Sequence, residues 1–162
     1  MRHEFGRAAI VAALLGATGS AGAASLQADR IYVGGGLSSN DLDGEEATGY
    51  QGFVGYELPL DMGSAEPAIE IGYWNSGDFD VRTPAGEREV DADGIWATGV
   101  ASVPLGSGVN LLGRLGADFG DDDGLMAGGG LGFDVNERVE LRGEYVVRDD
   151  TESLQANFVY GF

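Results

Sequence analysis

From residue 25 onward the chain alternates. Apolar side chains take every second position, with glycine, small polar or charged residues between them. That is the period of a strand with two unlike faces. Eight segments follow this rule, separated by turn-forming clusters. Arg30 to Leu37 sets Ile31, Val33 and Leu37 against Tyr32, Gly34 and Gly36. Thr48 to Leu58 sets Tyr50, Val54, Tyr56 and Leu58 against Gln51, Phe53, Gly55 and Glu57. Ala68 to Asn75 sets Ile69, Ile71 and Tyr73 against Glu70, Gly72 and Trp74. Gly94 to Val103 alternates less clearly, with Ile95, Ala97, Ala101 and Val103 on one face and Trp96, Thr98 and Ser102 on the other. Val109 to Phe119 opposes Leu111, Leu115, Ala117 and Phe119 to Leu112, Arg114, Gly116 and Asp118. Leu125 to Val135 opposes Leu125, Ala127, Leu131, Phe133 and Val135 to Met126, Gly128, Gly130 and Gly132. Arg138 to Arg148 opposes Val139, Leu141, Tyr145 and Val147 to Glu140, Arg142, Glu144 and Arg148. The last segment starts at Ser153 and runs to the C-terminal Phe162.

One face of nearly every segment is wholly apolar, while charge and glycine collect on the other. A soluble barrel has its grease inside. Here the alternation suits the reverse arrangement, in which lipid takes the apolar face and ring closure satisfies every backbone hydrogen bond. The expected fold is an all-β, eight-stranded antiparallel up-and-down transmembrane β-barrel spanning residues 25–162. Inward glycines suit its narrow bore. The connections alternate in length. SSNDLDGEEA, SGDFDVRTPAGEREVDAD, GDDD and DDTE fall on one end, and PLDMGSAE, PLGSG and a tight Asn-Glu turn on the other. An even strand number puts both termini at the end opposite the acidic connections, which makes that acidic end extracellular. Tyrosine and phenylalanine near the strand ends are expected to form interfacial girdles. The competing reading is a periplasmic lipocalin-like barrel with the apolar faces turned inward.

The first 24 residues do not join this pattern. Arg2 and Arg7 precede a short apolar run from Ala8 to Leu15, and Ala21-Gly22-Ala23 offers a small-x-small cleavage site. This is the layout of a secretory signal peptide cleaved after Ala23 or Ala24, and the run is too short to cross a bilayer as a helix. His3 is the one histidine in the sequence and leaves with that segment.

The full chain carries 27 acidic residues against nine arginines and no lysine, a net charge of −18. Such a surface does not suit nucleic acid. Without lysine, the acidic excess resembles proteins of halophilic bacteria. With 43% hydrophobic residues, the chain is not a disordered acidic tail. The absence of cysteine excludes disulfides and thiolate chemistry.

The stretches YVGGGLS (32–38), FVGYEL (53–58), AIEIGYW (68–74), LGRLGADFG (112–120), VELRGEYV (139–146) and the final FVYGF, in this order, resemble the small outer-membrane barrels of the OmpA and OmpX type. The resemblance implies an outer-membrane location in a Gram-negative bacterium, lipopolysaccharide as a neighbour, and a barrel that folds as a monomer. It also implies that Phe158, Tyr160 and Phe162 form the C-terminal signal read by the barrel assembly machinery. The chain stops where OmpA continues into a peptidoglycan-binding domain, so a cell-wall tether is not implied.

Candidate chemistry is sparse. The charged inward residues Glu57, Glu70, Arg114, Asp118, Glu140, Arg142, Glu144 and Arg148 are expected to meet across the lumen. Carboxylate–guanidinium networks neutralise a filled interior with fixed geometry. The alternative is a narrow channel or gated pore, for which eight strands leave little room. The pattern D-x-D-G occurs three times, at Asp41, Asp43 and Gly44, at Asp91, Asp93 and Gly94, and at Asp121, Asp123 and Gly124. None completes a calcium loop. Turns are the favoured reading, with weak divalent cation binding second. Gly128-Gly129-Gly130 lacks the lysine of a phosphate loop. Trp74 and Trp96 are expected to pack inward or to join the aromatic belt. Barrel enzymes such as lipid A deacylases, acyltransferases and omptin proteases use histidine, which the mature chain lacks. The sequence therefore points to a structural or surface-interaction barrel, with neither catalytic residues nor a cofactor or metal site expected.

Overall fold

The computed structural model describes residues 27–162 apart from 43–44, 84–85, 121–123 and 150; residues 42, 45, 78–83 and 86–92 are described by their backbone path. The expected signal peptide, and Asp43, Gly44, Asp121 and Asp123 of the D-x-D-G patterns, lie outside the described residues.

A single 3-10 turn (Ala28–Arg30) leads into eight strands: β1 (Ile31–Leu42), β2 (Glu45–Glu57), β3 (Glu66–Thr83), β4 (Gly86–Gly106), β5 (Val109–Gly120), β6 (Gly124–Asn136), β7 (Val139–Val147) and β8 (Glu152–Gly161). Each pairs antiparallel with its chain neighbours, and β8 returns to β1 from Tyr32↔Gly161 to Asp41↔Glu152, closing the ring. Closure leaves no sheet edge within the barrel wall, which is the condition for placing backbone in hydrocarbon.

The faces fall as the alternation requires. Leu125 is 76% exposed and Leu115 66%, whereas Trp96 and Met126, on the opposite faces, are fully buried. The lipocalin-like alternative needs the reverse and is ruled out by this arrangement. Tyr50, Tyr73, Phe119 and Tyr145 ring the outer surface toward one end, with Tyr50 and Tyr73 6.5 Å apart. Tyr56, Phe133, Tyr160 and Phe162 mark the other, where Tyr160 and Phe162 meet edge to face at 5.5 Å. Trp74, Trp96, Tyr32 and Phe53 belong to neither girdle. They are buried in the lumen.

Three connections at the terminal end are compact. Between β4 and β5, Ser107 (φ 56°) and Gly108 (φ 72°) both take the left-handed region, as a two-residue type I′ hairpin demands. At the opposite end the sequence reading needs correction. Residues 76–83 and 86–93 do not form an irregular connection: β3 and β4 run on through them as a ladder from Asp78↔Asp91 to Thr83↔Gly86. At 18 and 21 residues these are the longest strands of the barrel. The step between wall and extension is a register shift at Asn75/Asp78. Gly77 sits in it with φ 79°, and a Cβ there would lie 2.2 Å from the Thr48 carbonyl oxygen, so no other residue fits.

Candidate functional site

Parity decides what enters the lumen. From β3 come Ala68, Glu70, Trp74 and Ser76; from β5, Leu112, Arg114 and Asp118; from β7, Arg142, Glu144, Val146 and, one residue beyond its end, Arg148; from β8, Ser153, Gln155, Asn157 and Val159. All are buried. The bore accepts bulky groups only because glycine faces them on a neighbouring strand. A Cβ on Gly34 would lie 2.3 Å from the Phe53 ring, one on Gly55 2.1 Å from Tyr32, and one on Gly72 2.6 Å from Trp96.

Five of the eight charged residues expected to meet across the lumen form one chain of contacts: Glu70, Arg114, Glu140, Arg142 and Glu144. Glu70 is its centre. Its Oε1 accepts hydrogen bonds from Tyr32 Oη at 2.8 Å and Arg142 Nη1 at 2.6 Å, and its Oε2 lies 3.2 Å from Arg114 Nη2. Arg114 also grips Glu144 with two nitrogens, Nε to Oε2 at 2.7 Å and Nη2 to Oε1 at 2.8 Å. Arg142 Nε donates to Glu140 Oε2. Asn157 Nδ2 donates to Glu144 Oε1 at 3.3 Å, and Gln51 Nε2 donates to both Gln155 and Asn157.

Arg148 and Asp118 lie in a second cluster. They pair with Nε 2.7 Å from Oδ2, and Trp74 Nε1 donates to the other carboxylate oxygen at 3.1 Å. Glu57 does not join the lumen network. It is exposed at the terminal rim, where a cavity of about 180 Å³ is lined by Glu57, Glu66, Glu140, Arg142 and Tyr32. That cavity stops at the Tyr32–Arg142 layer, and neither Trp96 nor Trp74 lines it.

The sequence reading expected Trp74 and Trp96 to pack inward but did not pair these rings, or Tyr32, with the arginines. Each of the three lumenal guanidiniums lies over a ring: Arg142 over Tyr32 at 5.3 Å, Arg114 over Trp96 at 5.4 Å, and Arg148 over Trp74 at 4.1 Å. A desolvated cation over an aromatic face gains about 2 kcal/mol or more, and a carboxylate on its other side completes its neutralisation. Among the described residues, four carboxylates (Glu70, Asp118, Glu140, Glu144) stand against three guanidiniums in these pairs, which leaves one net negative charge. The available signal was parity: Tyr32, Trp74 and Trp96 share the inward face with the arginines, but which strands face one another across the bore is a property of closure.

The remaining candidates fall elsewhere. Phe158 and Phe162 point outward, 50% and 59% exposed, with Tyr160 half-buried between them. Asp93 accepts a hydrogen bond from the outward Tyr73 hydroxyl at 3.1 Å. Among the described residues, no group of three or more acidic or histidine side chains is placed to hold a metal ion.

A closed eight-stranded barrel, apolar outside and ion-paired inside, defines a membrane-spanning β-barrel. The sequence profile of the outer membrane protein beta-barrel domain matches residues 9–162, and the chain belongs to that family. The solved structures it resembles share the fold at low identity. A designed transmembrane β-barrel superposes with a TM-score of 0.58 at 14% identity, covering 84% of this chain and 98% of the other. The outer membrane protein Ail of Yersinia pestis, in a phospholipid nanodisc, gives 0.51 at 16% identity, covering 80% and 98%. Neisserial surface protein A gives 0.50 at 13% identity, covering 82% and 96%. No curated protein sequence matches the chain significantly.

Proposed function

We propose that this protein is a surface barrel of the outer membrane of a Gram-negative bacterium, with a structural lumen and an extracellular end that makes the contacts. The observation that carries this reading is the β3–β4 extension. Pairing with β2 ends at Tyr50↔Asn75 and pairing with β5 at Gly94↔Gly120, yet β3 and β4 continue to Thr83↔Gly86. The barrel wall needs none of that length. From Gly86 to Asp91, β4 pairs with β3 on one side, and on its other side no strand among the described residues takes its backbone groups. Such an edge is a surface for partners. Alternate residues along it are acidic: Glu87, Glu89, Asp91 and Asp93.

The pore reading is weaker. Ion pairs and stacked rings fill the bore, and the cavity at the terminal mouth is blind. Bilayer recordings of wild type and Arg114→Ala test this. Neither is expected to give conductance steps, while the variant loses about 3–5 kcal/mol because it strands two buried carboxylates. Steps opened by Arg114→Ala would make the network a gate.

Lipopolysaccharide is the expected neighbour of the acidic end. Phe158, Tyr160 and Phe162 are proposed as the segment engaged by the assembly machinery, and the barrel as a monomer. Trypsin tests the topology, because arginine offers its only cleavage sites in this lysine-free chain. On intact cells we expect fragments ending at Arg82 or Arg88. Cleavage at Arg30 or Arg138 instead would invert the barrel.

A further inference from the structure

The root of the β3–β4 extension is tied to the opposite wall of the barrel. Ser76 is fully buried where the extension leaves the wall, and its carbonyl oxygen accepts a hydrogen bond from Asn40 Nδ2 of β1 at 2.8 Å. Asn40 Oδ1 accepts from Ser153 Oγ of β8 at 2.7 Å. Ser153 Oγ accepts from Arg148 Nη1, one residue beyond β7, at 3.0 Å, and Arg148 is held by Asp118 of β5. The contacts therefore cross the mouth from β5 to β3 by way of β7, β8 and β1.

Two features set this chain apart from ordinary lumen filling. Every donor points the same way, from the guanidinium through the hydroxyl and the amide to the Ser76 carbonyl, so each bond polarises the next. Every member is also out of water: Asn40 is 1% exposed, Ser153 and Ser76 0%, Asp118 and Arg148 2%. A buried carbonyl that loses its donor bears a desolvation cost, and the segment best able to relieve it by moving is the one least held by neighbours. That segment is the extension, which leaves the wall at the register shift beside Gly77, with Gly77 N–H donating to Asn75 Oδ1 at 3.0 Å.

We propose that Asn40 and Ser153, polarised by the Asp118–Arg148 pair, are positioning residues that fix the direction in which the β3–β4 extension is presented. Its consequence for partner contact rests on the surface role proposed above, but the geometry itself does not. A change in the lumen at Arg148 is thereby communicated to the extracellular edge.

The cysteine-free chain permits a direct test. Spin labels at Thr83→Cys on the extension and Glu137→Cys in a terminal-end turn report the distribution of distances between them in nanodiscs. In the wild-type background a single narrow distribution is expected. Asn40→Ala and Ser153→Ala should each broaden it about twofold or shift its centre, since either removes a link that holds the extension in one arrangement among those open to it. Ser153→Thr, which keeps the hydroxyl, should restore the narrow distribution. Gln155→Ala serves as control: it lies on the same inward face of β8, bonded to Gln51 outside this chain of contacts, and it should lower stability while leaving the distribution unchanged. An unaltered distribution in Asn40→Ala, with the barrel still shifting on heating in a gel, would overturn the proposal. So would equal broadening in Gln155→Ala. Failure of the extension to bind a partner would leave these distances untouched, so the two readings fail separately.

Discussion

Glycine serves two different ends in this barrel, and substitution separates them. A Cβ on Gly130 would sit 2.0 Å from the Gly143 carbonyl oxygen, whereas one on Gly113 meets nothing within 4 Å. Gly130→Ala should cost about 1–3 kcal/mol by overpacking a closed interior, and Gly113→Ala, facing lipid, should be close to neutral. Denaturant titrations in lipid vesicles would show the difference, and equal costs would mean that backbone conformation rather than space governs both sites. At Glu70 the argument is electrostatic. It takes a tyrosine hydroxyl and two guanidiniums at once, so Glu70→Ala leaves two buried cations short of their counter-charge and should cost about 3–5 kcal/mol. The same titration checks it, and a change below about 1 kcal/mol would mean that water reaches the network and screens it. The residue types at both sites were readable from parity. The bidentate grip of Arg114 on Glu144 and the stacking of each arginine on a ring were not, because parity fixes a face and not a partner.

Among the elements, β3 and β4 are where the sequence reading fell furthest short; β1 and β2 also run on, pairing from Ser38↔Gly49 to Leu42↔Glu45 through the stretch read as their connection. Phe79, Val81 and Val90 continue an alternating pattern into the stretch that reads as a loop. Acidic residues outnumber them, and Pro84-Ala85-Gly86 breaks the run, so it has the composition of a turn cluster. A strand in water needs only its ladder and has no lipid face to fill, and that removes the signal by which the other strands stand out. The ladder from Asp78↔Asp91 to Thr83↔Gly86 is internal to the hairpin. Replacing residues 78–91 with a short Gly-Ser turn should therefore leave the barrel's unfolding midpoint and its heat-dependent gel shift unchanged. A lowered midpoint would show that the extension is part of the folding unit rather than an appendage.

At the scale of the whole molecule, charge divides by end. At the end opposite the termini, residues 38–47, 76–93, 120–124 and 149–152 hold sixteen acidic residues against two arginines. The terminal end holds Asp29, Glu57, Asp61, Glu66, Asp134 and Glu137 against Arg30 and Arg138. Fourteen net negative charges crowd one rim, and four the other. Repulsion among exposed like charges opposes the compact state and is screened by salt, over a Debye length that shrinks from ~30 Å at 0.01 M to ~8 Å at 0.15 M. The buried ion pairs of the lumen are screened far less. Raising sodium chloride should thus raise the thermal midpoint in detergent, and a fall would mean that exposed ion pairs outweigh the crowding.

The order of residues alone determined the number of strands, the face each turns to lipid, the up-and-down order and the end that carries the acid. All of these follow from a period of two and from where turn-formers interrupt it. Closure decided the rest. Bringing β8 against β1 set which strands confront each other across the bore, and so paired Arg148 with Asp118 rather than with the carboxylates of its own strand. It put Asn40 and Ser153 in reach of Ser76, and it kept Glu57 at the rim. Pairing across a barrel depends on its stagger and curvature, and these are sums over all eight strands that no single segment contains.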